Sequence, residues 1–155
     1  MRLVIQRVNK ASVLVDGKVV GKIDKGLFIL VGIGKEDKLE DAEILAEKVS
    51  KLRIMSDVND KMNLSVSDLP AQTGVKGSFL VVSQFTLYAD TSGGNRPSFI
   101  KAALPDKARK IYQHFVTKLK EKGLSVKTGS FGDYMKITTE LDGPVTIIVD
   151  TNKVS

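Results

Sequence analysis

Residues 26–34 read Gly26-Leu27-Phe28-Ile29-Leu30-Val31-Gly32-Ile33-Gly34, an unbroken apolar run bounded by glycines. A strand with one wet face alternates apolar and polar residues, whereas a continuous run suits a strand buried on both faces. This segment is therefore predicted to be a central strand. Upstream, residues 2–8 alternate and are rich in branched side chains, which predicts another strand. Segments 11–15 and 18–23 flank Asp16-Gly17, a pair suited to a tight hairpin because glycine accepts positive φ. Downstream, Ala42, Leu45, Ala46, Val49 and Leu52 recur at helical spacing within residues 39–52. Residues 56–60 are dense in turn formers and 71–77 form a polar, glycine-containing connection. Ser78 to Ser83 (SFLVVS) repeats the buried-strand pattern, and residues 84–88 are expected to continue it. Residues 91–97 suit neither helix nor strand. A second helix is expected from Pro105, with Ala108, Ile111, Tyr112, Phe115 and Leu119 as its apolar stripe and Gly123 past its end. A short strand follows at 124–127. Residues 134–141, then Asp142-Gly143-Pro144, then 145–150 read as strand, turn, strand. This order predicts an α/β domain, a mixed sheet layered with helices, over residues 1–155.

The 155 residues are 42% hydrophobic and 27% charged, the balance of a folded domain. There is no cysteine, so disulfides, thiolate nucleophiles and cysteine-ligated zinc are excluded. The opening apolar run is interrupted by Gln6 and Arg7 and is too short for a signal peptide; a cytoplasmic protein with no membrane span is expected. A net charge of +6 favours a polyanionic partner. One histidine, His114, serves every histidine-based mechanism. It lies on the same helix face as Lys107, Lys110 and Lys118, which reads as an exposed, solvated basic face rather than a catalytic site. That face, with Lys120 and Lys122, suits either plain solubility or RNA phosphates. No Ser-His-Asp set, zinc-helix motif, EF-hand or phosphate-binding loop is present. Gly32-Ile33-Gly34-Lys35 does not match a nucleotide fingerprint and reads as a strand-to-helix turn. An enzyme built from this chain must work by positioning and by backbone hydrogen bonds.

Two segments carry more specific information: Ser83-Gln84-Phe85-Thr86-Leu87 within SQFTLYAD, and Gly143-Pro144-Val145-Thr146 within DGPVTIIVD. Together with RLVIQRV, the hairpin, GLFILVGIG, the acidic helix, KMNLSV, GNRPSF and TGSFGDYM, they resemble the D-aminoacyl-tRNA deacylase family, in that family's order and over essentially the whole chain. Asp142 and Gly93-Gly94 are small departures from its pattern. The resemblance implies a layered β/β/α fold, a homodimer, and no metal or organic cofactor. It implies hydrolysis of the ester of D-aminoacyl-tRNA, and of glycyl-tRNA mischarged on tRNA(Ala), at the 3′ end. Such esters are already reactive, since the neighbouring ribose hydroxyl assists hydrolysis.

By the same resemblance, Ser83, Gln84, Phe85 and Thr86 are the catalytic segment, with the Phe85 backbone N–H and Gln84 holding the oxyanion. On residue grounds alone Ser83 and Thr86 would satisfy backbone groups at a strand end. A threonine nucleophile needs a base. None is visible nearby in sequence, so Thr86 is assigned to positioning or orienting water. Gly143 and Pro144 are implied to form a cis peptide that enters the partner subunit's site and rejects L side chains, although Asp-Gly-Pro is also good turn chemistry. Arg7 is implied to brace that loop. Phe99, Ala102 and Ala103 are implied to line the terminal adenosine pocket. Met135 is implied to line the pocket or, equally, to fill core space. The rival reading is a non-catalytic nucleic-acid-binding protein on the same fold. Relatives of that kind carry a C-terminal extension, and this chain ends at Ser155 just after its last strand, which is expected to favour the enzyme.

Overall fold

The computed structural model describes residues 1–151; the last four residues of the expected 1–155 domain, with the chain end at Ser155, lie outside the described residues. The elements run β1 (Arg2–Val15), β2 (Lys18–Ile23), β3 (Gly26–Gly32), α1 (Leu39–Ser50), β4 (Met55–Ser56), β5 (Met62–Leu64), α2 (Leu69–Thr73), β6 (Ser78–Ser83), a 3-10 turn (Phe85–Tyr88), α3 (Pro105–Glu121), β7 (Ser125–Thr128) and β8 (Lys136–Asp150). The main sheet is mixed, in the order β2-β1-β3-β6-β7, with β8 on the other edge of β1. β1 is antiparallel to β2, β3 and β8, while β3, β6 and β7 run parallel.

The sheet curls until it nearly closes, and this explains why β3 and the interior of β6, Phe79 to Val82, are apolar. Leu27, Ile29 and Val31 of β3 and Phe79 and Val81 of β6 face one core, shared with Leu45 and Val49 of α1 and Ile111, Phe115 and Leu119 of α3. The alternate residues Phe28, Leu80 and Val82 face a second core inside the curl, with Val8, Ala11, Val13 and Ile23. Period-two alternation thus points every side chain of these strands into apolar surroundings. The layers are curled sheet, sheet and helices, the β/β/α arrangement.

The hairpin forms where expected: Asp16 and Gly17 both take positive φ (49° and 77°), the two-residue geometry whose twist matches its flanking strands. α1 buries Ala42, Leu45, Ala46 and Val49 but ends at Ser50, leaving Leu52 half-buried beyond it; α3 buries Ile111, Tyr112, Phe115 and Leu119 with Ala108 half-buried, and Gly123 takes φ +76° past its end. Three expectations are corrected. Segments 2–8 and 11–15 are one strand, because β8 pairs along both. Residues 85–88 are a 3-10 turn and not a continuation of β6. Residues 136–150 are one strand, not strand, turn, strand, because both halves pair antiparallel with β1: Val8 opposes Leu141 and Gln6 opposes Thr146. Residues 142–145 therefore bulge out opposite the single residue Arg7.

Candidate active site

The parallel strands β3 and β6 end together, with Val31 opposite Ser83. Crevices at the carboxyl ends of parallel strands are where such sheets place ligands. The Gln84 backbone N–H donates to the Val31 carbonyl at 2.8 Å, the last bond of the ladder. Its backbone donor is spent, so only the Gln84 side-chain amide remains to donate elsewhere. The chain then tightens into the 3-10 turn, closed by Leu87 N–H to the Gln84 carbonyl (3.4 Å) and Ala89 N–H to the Thr86 carbonyl (3.0 Å). The first N–H groups of a helical turn have no acceptor within it. Among the described residues, neither the Phe85 nor the Thr86 N–H meets an acceptor elsewhere. Nor does any acid or base hydrogen-bond the Thr86 side chain. Phe85 and Thr86 are exposed.

The segment after the turn returns to the same edge. Asp90 and Ser98 exchange two backbone hydrogen bonds (2.8 and 2.9 Å), and Ala103 N–H donates to the Ile33 carbonyl at 2.9 Å. Ala102 pairs with Gly34 across an isolated bridge. The Ser92 hydroxyl and the Lys101 ammonium hold the Asp90 carboxyl far below the usual carboxylate range. This fixes Phe99 edge-on to Phe85, ring centres 5.0 Å apart at 73°. The structure thus gathers Ser83, Gln84, Phe85, Thr86, Phe99 and Ala102 at one edge of the sheet. Met135 packs on the rim of the inner core, its sulfur over Gly129 and beside Val82, one residue before Ser83.

Arg7 and the Gly143-Pro144 bulge form a second group. Arg7 is 8% exposed. Its Nε donates to the Asp142 carbonyl and pairs with the Asp142 carboxylate, each at 3.1 Å, and its Nη1 donates to the Ile54 carbonyl at 3.0 Å. The Gly143–Pro144 peptide is cis, and both residues are exposed. Gly143 has φ +139°, and a Cβ there would stand 2.6 Å from the Val145 nitrogen, so the position requires glycine.

Within one chain the two groups do not meet. β1 and β3 lie between β8 and β6. Arg7, opposite the bulge, pairs with Leu27 near the start of β3, whereas Ser83 pairs with Val31 near its end. Those four residues span about 13 Å along the strand.

Sequence reasoning did not single out Arg2, Asp37 and Tyr88, which gather beneath the turn. Arg2 Nη1 donates to the Leu87 carbonyl at 2.7 Å, and the Tyr88 hydroxyl donates to Asp37 at 3.2 Å. His114 is placed away from all of these. Its Nε2 meets Glu43 at 2.8 Å, tying α3 to α1.

A family model described as D-Tyr-tRNA(Tyr) deacylase matches residues 4–150. The chain belongs to the D-Tyr-tRNA(Tyr) deacylase family. A D-aminoacyl-tRNA deacylase of Thermosipho melanesiensis is 52% identical over 155 residues, covering 99% of each chain. A protein of the same name from Thermotoga petrophila is 53% identical over 153 residues, again covering 99% of each. Among solved structures, a c-Myc DNA unwinding element binding protein superposes with a TM-score of 0.87 at 36% identity, covering 97% of this chain and 98% of that one. Membership of the deacylase family thus extends from the first strand to the last. Among the described residues, no helix is long and apolar enough to cross a membrane, and no cluster of three or more His, Cys, Asp or Glu could hold a metal ion.

Proposed function

We propose that this chain is a D-aminoacyl-tRNA deacylase, a hydrolase that cleaves the ester between a D-amino acid and the 3′ end of its tRNA. Family membership supports the activity, and the observation that carries the mechanism is the pair of unpartnered N–H groups at Phe85 and Thr86. Water adds to the ester carbonyl carbon, and the carbonyl oxygen gains the charge that these donors hold. One such donor is worth about 3–4 kcal/mol. The tetrahedral adduct expels the ribose oxygen, which takes a proton with help from the neighbouring hydroxyl. Free amino acid and intact tRNA leave. Ser83 ends the strand that presents the donors, the Gln84 amide adds a side-chain donor, and Thr86 orients water. The exposed Phe99 ring offers a face to the terminal adenine, with Ala102 and Met135 at the pocket's sides; stacking of that kind is worth about 1–3 kcal/mol.

Selectivity is assigned to Gly143-Pro144 of a second copy of the chain. Within one protomer these residues stand away from the catalytic turn, and β8 pairs with β1 alone among the described strands, leaving Leu141 and Ile148 exposed. A homodimer that covers this face carries each bulge to the partner's site. There, rigid backbone against the substrate's α-carbon excludes an L side chain and admits a D one, a specificity by rejection. Glycine has nothing to reject, so glycyl-tRNA mischarged on tRNA(Ala) is also a substrate. The protein works where aminoacyl-tRNA is made, in the cytoplasm.

The test is the product: D-tyrosyl-tRNA incubated with the protein is expected to yield free D-tyrosine and tRNA that can be charged again. Retention of the tRNA with its ester uncleaved would instead favour a binding protein, the reading suggested by the name of the DNA unwinding element relative.

A further inference from the structure

We propose that Arg2, Asp37 and Tyr88, closing over Gly32 and Gly34, are positioning residues that fix the catalytic turn Phe85–Tyr88. The proposal rests on the deacylase reading of that turn. Four residues of 3-10 helix have little stability of their own. Oxyanion donors must nonetheless be held still, since a displacement of about 1 Å costs on the order of 100-fold in rate. The fixing force therefore comes from outside the turn, and it comes from below.

Two tethers reach the turn's last residues. Arg2 Nη1 donates to the Leu87 carbonyl at 2.7 Å, its guanidinium lies 5.2 Å from the centre of the Tyr88 ring, and its Nε is held by Asp150 at 3.0 Å. The Tyr88 hydroxyl donates to Asp37 Oδ2 at 3.2 Å. Asp37 is itself immobilised: it is 8% exposed, accepts the Gly34 N–H at 2.6 Å and pairs with the Met1 ammonium. Burial, and then the Asp37 charge, push the Tyr88 phenol well above its usual range, so the hydroxyl keeps its proton and remains a donor.

The floor is made of two missing side chains. A Cβ on Gly32 would stand 2.9 Å from Leu87 Cβ and 3.2 Å from the Gln84 carbonyl oxygen. One on Gly34 would stand 2.8 Å from the Tyr88 ring. The Gly32-Ile33-Gly34 pattern thus works as a slot into which the turn is lowered. None of these side chains belongs to the catalytic group, so their effect on the reaction passes through the Phe85 and Thr86 N–H groups.

The experiment compares wild type with Tyr88→Phe, which removes one hydroxyl and no volume, and with Arg2→Gln and Arg2→Lys. For Tyr88→Phe and Arg2→Gln, kcat on D-tyrosyl-tRNA is expected to fall about 10- to 100-fold with KM within about twofold. Arg2→Lys, which keeps a cation for the Leu87 carbonyl, is expected to recover part of the loss. In the free protein, Phe85 and Thr86 amide resonances are expected to shift and exchange faster in Tyr88→Phe, while those of β3 stay put. Unchanged kcat, or unmoved Phe85 and Thr86 amides, overturns the proposal. Wild-type protein that releases no D-tyrosine counts against the deacylase reading; the amide measurement still judges the seat on its own.

Discussion

Arg7 is a buried cation on a strand, and it persists because its Nε and Nη1 meet the oxygens of Asp142, Ile54 and Ser56. Replacing it with methionine keeps the bulk and strips the Ile54 and Asp142 carbonyls of their donor. The expected loss is about 2–4 kcal/mol in urea unfolding. Asp142→Asn keeps the backbone carbonyl that Arg7 holds but removes the counter-charge of a buried guanidinium, and is expected to cost about 1–3 kcal/mol. Gly143 is the second residue whose chemistry is forced. With φ at +139° and the Val145 nitrogen 2.6 Å from any Cβ, Gly143→Ala must deform the bulge. It is expected to lower the ratio of D- to L-tyrosyl-tRNA cleavage by about tenfold or more, as measured by parallel time courses, and to lower Tm by a few degrees. At this scale the sequence is informative where a residue's neighbours in space are also neighbours in the chain, as with the Asp16-Gly17 turn. It was silent on Tyr88 and Asp37, which lie 51 positions apart and join only because β3 and β6 end side by side.

Helices α1 and α3 are joined at their surfaces by charge. Lys122 foremost, then Lys51, draw the Glu47 carboxyl down from its ordinary 4.5 to about 2. A depressed folded-state value means that the contribution is present above about pH 4.5 and is lost as pH falls toward about 2. Glu47→Gln is therefore expected to lower stability slightly above about pH 4.5, to leave it unchanged near pH 2, and so to flatten the acid limb of the stability profile over that window. The difference should shrink at high salt, because these groups are exposed. Elements buried on both faces, β3 and β6, were the most legible in the sequence, since nothing but a central strand explains such runs. α1 and α3 followed from their apolar stripes. Both halves of β8 were legible but their continuity was not, because Asp-Gly-Pro carries turn chemistry and only the pairing of β1 on both sides of it shows that the chain runs on. The 3-10 turn was missed for a similar reason: Phe-Thr-Leu-Tyr favours a strand, but β3 ends at Gly32 and leaves no partner for one.

At the scale of the molecule, one sheet presents the proposed catalytic turn at the ends of β3 and β6 and, on its outermost strand, a glycine-proline bulge that stands away from it. On the proposed reading a single chain holds both halves of a selective site without joining them, and two copies exchanging bulges would complete two sites. On the proposed reading the chirality of the reaction would reside in backbone, which a chain without cysteine and with one histidine, itself committed to Glu43, can supply. The measurement that tests this account most directly is a deacylation time course on D-tyrosyl-tRNA and L-tyrosyl-tRNA side by side, in buffer containing a metal chelator. Rapid loss of the D ester with the L ester intact is the predicted result. Loss of both at similar rates would contradict the assignment of selectivity to Gly143-Pro144, and loss of neither would contradict the deacylase itself.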